Sequence, residues 1–211
     1  MIALPFNCPI SFSISGTTGS GKTTWVLNLL RNRKSMLEPS PQNVLYCYGV
    51  WQELFEKVER EMNFITFHEG VPDRETVDNL HSGDMIVLDD LSHLLFNNVD
   101  MELLFSQISH HKKLTVCQIK NNIFYQGKHA RTINLNTHVY VLMQNPRDVS
   151  QIVRLGSQIY PGKGRALLEA YEECMSTTGY LVLDLSPHTD VKYRMRTDIF
   201  PGHDIIAFIP K

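Results

Sequence analysis

The chain has 211 residues, 43% hydrophobic and 20% charged, a size and apolar content that suit one α/β domain over residues 1–211 with no need of disulfides. A formal net charge of −2 excludes a protein that coats nucleic acid with its whole surface, and leaves open a local basic patch or a pore lined by several subunits. The four cysteines, Cys8, Cys47, Cys117 and Cys174, are widely spaced and never form C-x-x-C, which excludes a zinc ribbon and predicts buried thiols in a reducing compartment.

In chain order, Ile10–Ser15 alternates apolar residues with serines and predicts a strand. The Gly-rich stretch Gly16–Gly21 follows, and Lys22–Arg31 reads as a helix. A polar loop covers Asn32–Gln42. Asn43–Tyr48 is a predicted strand, Trp51–Met62 a helix, Phe64–His68 a short strand and Asp73–Leu80 a short helix. Asp84–Leu88 is an apolar strand running into Asp89-Asp90. Met101, Leu104, Phe105 and Ile108 recur at the spacing of one helical face. Its end carries His110, His111, Lys112 and Lys113, cations that suit a helix C-terminus or a DNA contact. Leu114–Ile119 and Val139–Met143 are further strands. Asn145-Pro146 reads as an N-cap and first turn of a helix reaching Tyr160, and Lys163–Met175 as the last helix. Tyr180–Leu185 and Val191–Thr197 predict a C-terminal β-hairpin. Trp25 and Trp51 are expected in the core. Strands alternating with helices imply a mostly parallel sheet with helices on both faces.

The sharpest signal is Gly16-Thr17-Thr18-Gly19-Ser20-Gly21-Lys22-Thr23, which matches G-x-x-x-x-G-K-S/T between a strand and a helix. Glycines let the backbone wrap phosphates with its N–H groups, and the helix behind adds the positive end of its dipole. Gly16 through Thr24 are therefore expected to bind ATP, with Lys22 on the β- and γ-phosphates and the Thr23 hydroxyl on Mg²⁺. The second requirement is an acid at the end of a neighbouring strand. Asp89 is expected on the metal side and Asp90 as the general base for the attacking water. Leu114–Ile119 followed by Lys120-Asn121-Asn122 has the form of the extra strand that many hydrolysing P-loop proteins insert, with Asn121 either a γ-phosphate sensor or a turn amide. Arg131 and Arg147 are either surface arginines or candidates to act on a neighbouring subunit's nucleotide. Lys112, Lys113, Lys120 and Lys128 could supply a basic ring lining.

No apolar run approaches the roughly 18 residues that span a bilayer, and the apolar N-terminal stretch lacks a charged lead-in. An intracellular, soluble protein is expected, its N-terminal stretch a first strand. The nine histidines form no Cys/His cluster of zinc spacing.

Pro5-Phe6-Asn7, Gly16–Thr23 and Leu88-Asp89-Asp90-Leu91 together resemble the FtsK/HerA-superfamily ATPases that package viral genomes, most of all those of Polinton/Maverick and adintovirus-like elements. Ser109-His110-His111, Arg131–Asn136, Asn145-Pro146-Arg147-Asp148 and Phe200-Pro201 extend the similarity over most of the chain. The resemblance implies a P-loop NTPase sheet of the ASCE (RecA-like) type, a homo-oligomeric ring, and ATP-driven translocation of double-stranded DNA into a capsid, with capsid proteins as further partners and a virus-infected cell as the setting. It implies working parts at Lys22, Thr23, Asp89, Asp90, Asn121 and Arg131. The chain departs from many relatives in having Asp90 where they carry glutamate, and Asn121 where the sensor is often glutamine. Two other functions are compatible with a phosphate loop: a nucleotide-gated switch or scaffold that hydrolyses ATP slowly, and a small-molecule kinase. The inserted strand, and the lack of an arginine-rich lid, weigh against the kinase.

Overall fold

A parallel strand covered on both faces reads as a continuous apolar run, and the chain builds its sheet from such runs. The structure is a computed structural model and describes residues 4–210. Its strands are β1 (Phe6–Asn7), β2 (Ser11–Ser15), β3 (Leu37–Glu38), β4 (Val44–Tyr48), β5 (Ile65–Glu69), β6 (Met85–Asp89), β7 (Thr115–Lys120), β8 (Val139–Met143), β9 (Tyr180–Asp184), β10 (Met195–Thr197) and β11 (Ile206–Phe208). Every residue of β2, β6, β7, β8 and β9 is buried.

The main sheet has the order β11-β10-β9-β8-β2-β7-β6-β4-β5. From β8 to β5 all neighbours are parallel, and β9, β10 and β11 add an antiparallel edge. The decisive feature is β7. It lies between β2, which feeds the glycine loop, and β6, which ends in Asp89, pairing Ile14 with Ile119 on one side and Asp89 with Ile119 on the other. The predicted inserted strand is therefore present.

Helices cover both faces. On one, α1 (Lys22–Arg31) and α3 (Glu53–Glu61) pack Leu27, Leu30, Phe55 and Val58 against Phe12, Ile14, Tyr46 and Val87. On the other, α4 (Arg74–Asp78), α5 (Ser92–Leu95), α6 (Val99–Leu103), α7 (Ser109–Lys112) and α8 (Ala130–Leu135) cover Ile86, Leu88 and Val116. There α9 (Ser150–Ile159) and α10 (Arg165–Thr177) cover Tyr140, Leu142 and Leu181.

Several expectations need correction. Asn32–Gln42 is not all loop: it holds α2 (Arg33–Met36) and β3, which pairs with β1 in a separate two-stranded sheet. The apolar stripe through Ile108 is a π-helical segment, Leu104–Ile108, between α6 and α7. Asn145 does not cap α9, which starts at Ser150. The Asn145 N–H is instead bonded to the Tyr171 hydroxyl (2.9 Å), and Asp148 accepts from the Gln151 amide (2.6 Å). Residues Val191–Tyr193 form a 3₁₀ turn, so the second strand of the hairpin begins at Met195, and β11 extends it to three strands. Trp25 is in the core, whereas Trp51 is 40% exposed, resting on Tyr48, Phe55 and Phe67 with its other side open. Cys47, Cys117 and Cys174 are buried, as expected, whereas Cys8 is only partly buried.

Candidate functional site

The site is assembled at the C-terminal ends of β2, β7, β6 and β4. The chain leaves β2 through Gly16–Gly21 and enters α1 at Lys22. Gly21, the residue before the helix, has φ 90°, a conformation that glycine adopts without penalty. Gly16 is needed for another reason: a Cβ there would lie 2.9 Å from Met143 Cβ, so the loop passes directly over the end of β8. The base of the loop is tied down by Gly16 N–H donating to the Lys120 carbonyl (3.4 Å) and Thr17 N–H to the Gln144 carbonyl (2.9 Å). Ser20 N–H closes the turn onto the Thr17 carbonyl (3.1 Å).

A cavity of about 400 Å³ opens over this loop. It is lined by Thr18, Gly19, Gly21, Lys22, Thr23 and Thr24 on one side. Asp89, Asp90, Ile119, Asn121 and Gln52 line the other. The Lys22 ammonium donates to the carbonyls of Gly16 and Thr17 (both 2.8 Å) and to Asn121 Oδ1 (3.1 Å). Partial burial holds its pKa below the usual lysine range, an effect opposed by the nearby carboxylates of Asp89 and Asp90.

Asp89 ends β6 and is 4% exposed. Its Oδ2 accepts from the Thr23 hydroxyl (3.1 Å) and from the Tyr46 hydroxyl (2.7 Å). Burial pushes its carboxyl above the usual range, while the two hydroxyl donors pull it back. The Thr23 hydroxyl and the Asp89 carboxylate are hard oxygen donors side by side, which suits a small divalent cation such as Mg²⁺. Asp90 is exposed at the mouth with φ 56°, a left-handed backbone uncommon for an aspartate, and its N–H is fixed to the Ile119 carbonyl (3.3 Å).

The structure thus brings together the phosphate loop, both acids and Asn121, with Lys22 and Asn121 in contact although 99 positions apart in the sequence. Arg131 is not among the cavity's lining residues; it is exposed near the start of α8. Arg147 lines an adjoining cavity of about 540 Å³ with Thr17, Thr18, Asn121 and Asn122. Two of the four lysines considered for a basic pore lining are otherwise engaged. Lys120 is fully buried, donates to Asn134 Oδ1 (3.0 Å), and is pushed down to about 7 by that burial. Lys112 is bound to the Val77 and Asp78 carbonyls.

Sequence reasoning missed Tyr46 and Gln52. Tyr46 is an ordinary alternating residue of β4, and only the register Tyr48↔Asp89 sets it behind the acid. Gln52 precedes α3 with no motif around it.

The fold is that of a P-loop NTPase. Among solved structures, the chain is similar to the genome packaging NTPase B204 from Sulfolobus turreted icosahedral virus 2 in complex with sulfate, with a TM-score of 0.54 at 10% identity over 96% of each chain. The same protein in complex with ATP-gammaS gives 0.53 at 10% identity, covering 96% of this chain and 97% of that one. B204, the DNA-packaging ATPase from Sulfolobus turreted icosahedral virus, gives 0.54 at 10% identity over 98% and 100%. No protein-family model matches the sequence. No curated protein matches it at a significant level. Among the described residues, no helix is long and apolar enough to cross a membrane.

Proposed function

We propose that this chain is an ATP-hydrolysing motor that moves double-stranded DNA into a viral capsid. The observation that carries the reading is the convergence of Lys22, Thr23, Asp89 and Asn121 in one cavity, with β7 inserted between the strands that bear the loop and the acid. The solved structures of similar fold support it: they are named as genome packaging NTPases, and complexes with AMP, ATP-gammaS and AMPPCP are among them.

In this reading the N–H groups of Gly16–Thr24 cradle the phosphates, and Lys22 moves its three donors from the loop carbonyls and Asn121 onto the β- and γ-phosphates. Thr23 and Asp89 would hold Mg²⁺, which supplies charge neutralisation on the phosphate oxygens. Tyr46 keeps the Asp89 carboxylate aimed at the cavity. Asp90 accepts the proton of the attacking water. Asn121, released by Lys22, senses the γ-phosphate from the end of β7. Arg131, exposed on α8, serves as the arginine that one subunit of a homo-oligomeric ring presents to its neighbour's nucleotide. DNA and capsid proteins are the further partners.

The test is steady-state ATPase activity with and without double-stranded DNA, on wild type, Lys22→Ala and Asp90→Asn. Both variants should lose turnover by about 100-fold or more, with Asp90→Asn still binding ATP, and DNA should stimulate the wild type. Turnover indifferent to DNA, in a protein that never forms rings, would sink the motor while leaving the ATPase.

A further inference from the structure

Beyond the phosphate loop, the two acids and Asn121, one more polar residue lines the cavity, from the connection between β4 and α3 that ordinary P-loop motifs do not include. After β4 the chain runs Gly49-Val50-Trp51-Gln52 across the end of β6. Gly49 N–H donates to the Asp89 carbonyl (3.1 Å), and a Cβ on Gly49 would sit 3.3 Å from the Asp90 carbonyl oxygen, so this segment lies against the backbone of the acid pair. Trp51 anchors it, with its ring 5.2 Å from Tyr48, 5.5 Å from Phe55 and 5.4 Å from Phe67. The next residue, Gln52, is among the residues lining the cavity that holds Asp89, Asp90 and the glycine loop.

Gln52 occupies the N-cap position of α3 with extended backbone (φ −120°, ψ 141°), yet its side chain makes no capping hydrogen bond. Gln52 is exposed, and among the described residues its amide has no hydrogen-bond partner, in contrast to Asp73 and Asn98, whose side chains do cap their helices. An uncommitted carboxamide on a pinned backbone has both a donor and an acceptor to offer the cavity.

We infer that Gln52 is a catalytic residue that holds the attacking water between its carbonyl oxygen and Asp90, with its N–H donating to a γ-phosphate oxygen. This rests on the reading of the site as an ATPase. In the step it serves, the water oxygen bonds to the γ-phosphorus. The bond from that phosphorus to the bridging oxygen breaks, its electron pair staying on ADP. The water proton goes to the Asp90 carboxylate and from there to the released phosphate. Asp90 is short and set in a left-handed turn at the rim, so it can take a proton but grips the water from one side only; the Gln52 amide supplies the second contact, from the start of α3.

The experiment is steady-state hydrolysis of Mg·ATP by wild type, Lys22→Ala, Gln52→Ala and Gln52→Glu, with ATP-gammaS binding and thermal unfolding measured on each. Gln52→Ala should lower kcat at least about tenfold, with KM and ATP-gammaS affinity within about threefold of wild type, because the lost contact is to the water and not to the bound phosphates. Gln52→Glu is the control for a structural role: an acid at this helix N-terminus keeps or raises the Tm, yet it cannot donate to the phosphate and should lose kcat at least about tenfold too. Either variant turning over within about twofold of wild type, or faster, would overturn the role of Gln52 alone, provided that Lys22→Ala abolishes the wild-type activity. A wild type with no turnover would remove the ATPase reading and this inference with it.

Discussion

Replacing Tyr46 with phenylalanine removes one oxygen from behind Asp89 and leaves the ring in its contacts with Phe55 (5.2 Å) and Phe67 (5.3 Å). That oxygen is fully buried and donates to Asp89 Oδ2 at 2.7 Å. A hydrogen bond to a charged group contributes about 1.5–3 kcal/mol, and the Thr23 hydroxyl remains as a second donor, so the lower end applies. At about 2–4 °C per kcal/mol for a domain of this size, the Tm should fall by about 3–6 °C. The functional consequence is larger than the loss of stability. Partners that orient a metal-binding carboxylate are worth about 10–100-fold in metal affinity, so the Mg²⁺ concentration for half-maximal ATPase should rise about tenfold. The sign of the pH effect also follows. Burial already holds the Asp89 carboxyl above its usual range and the Tyr46 bond opposes this, so its removal raises the carboxyl further and moves the acid limb of the rate profile to higher pH. The assay is ATPase activity across a Mg²⁺ titration at several pH values, with unfolding followed in parallel. An unchanged Mg²⁺ dependence with an unchanged acid limb would refute the assignment of Tyr46 as a positioning residue, whatever the Tm did.

Two further predictions concern buried charges outside the cavity. Lys120 titrates at about 7 in the fold, far below a solvated lysine, so the unfolded chain binds the extra proton between about pH 7 and 10, and this residue's contribution to stability rises with pH across that window. The Tm of wild type relative to Lys120→Met should therefore increase from pH 7 to pH 9; a difference that is flat or falls would contradict the burial of a near-neutral amine. Arg196 and Asp184 form a buried pair (2.8 Å, side chains 2% and 3% exposed), with a second Arg196 bond to the Tyr193 carbonyl (2.7 Å). Arg196→Met strands the carboxylate and should cost about 3–5 kcal/mol, a Tm fall on the order of 10 °C by differential scanning calorimetry. A fall below about 3 °C would mean that solvent or another cation reaches Asp184.

The local sequence determined the parts whose physics is local. Gly16–Thr23 is legible because wrapping a phosphate needs glycines and a lysine at contiguous positions. Met85–Asp89 and Val139–Met143 are legible because a strand buried on both faces must be apolar along its length. Asn121 could be singled out because it follows such a strand, although only the fold brought it within 3.1 Å of Lys22. Tertiary structure decided whatever depends on which strands become neighbours. Tyr46 backs Asp89 and Gln52 lines the cavity only because β4 lies beside β6, and strand order is set by the packing of helices on both faces, to which no single segment holds the key. The start of α9 at Ser150, and not at Asn145-Pro146, is a tertiary matter, because the Asn145 N–H is held by the distant Tyr171 hydroxyl on α10. Lys120 reads as a surface cation by composition, and it is buried because its alternating position on β7 turns it under Phe96 and Asn134, partners that the chain supplies from either side of that strand.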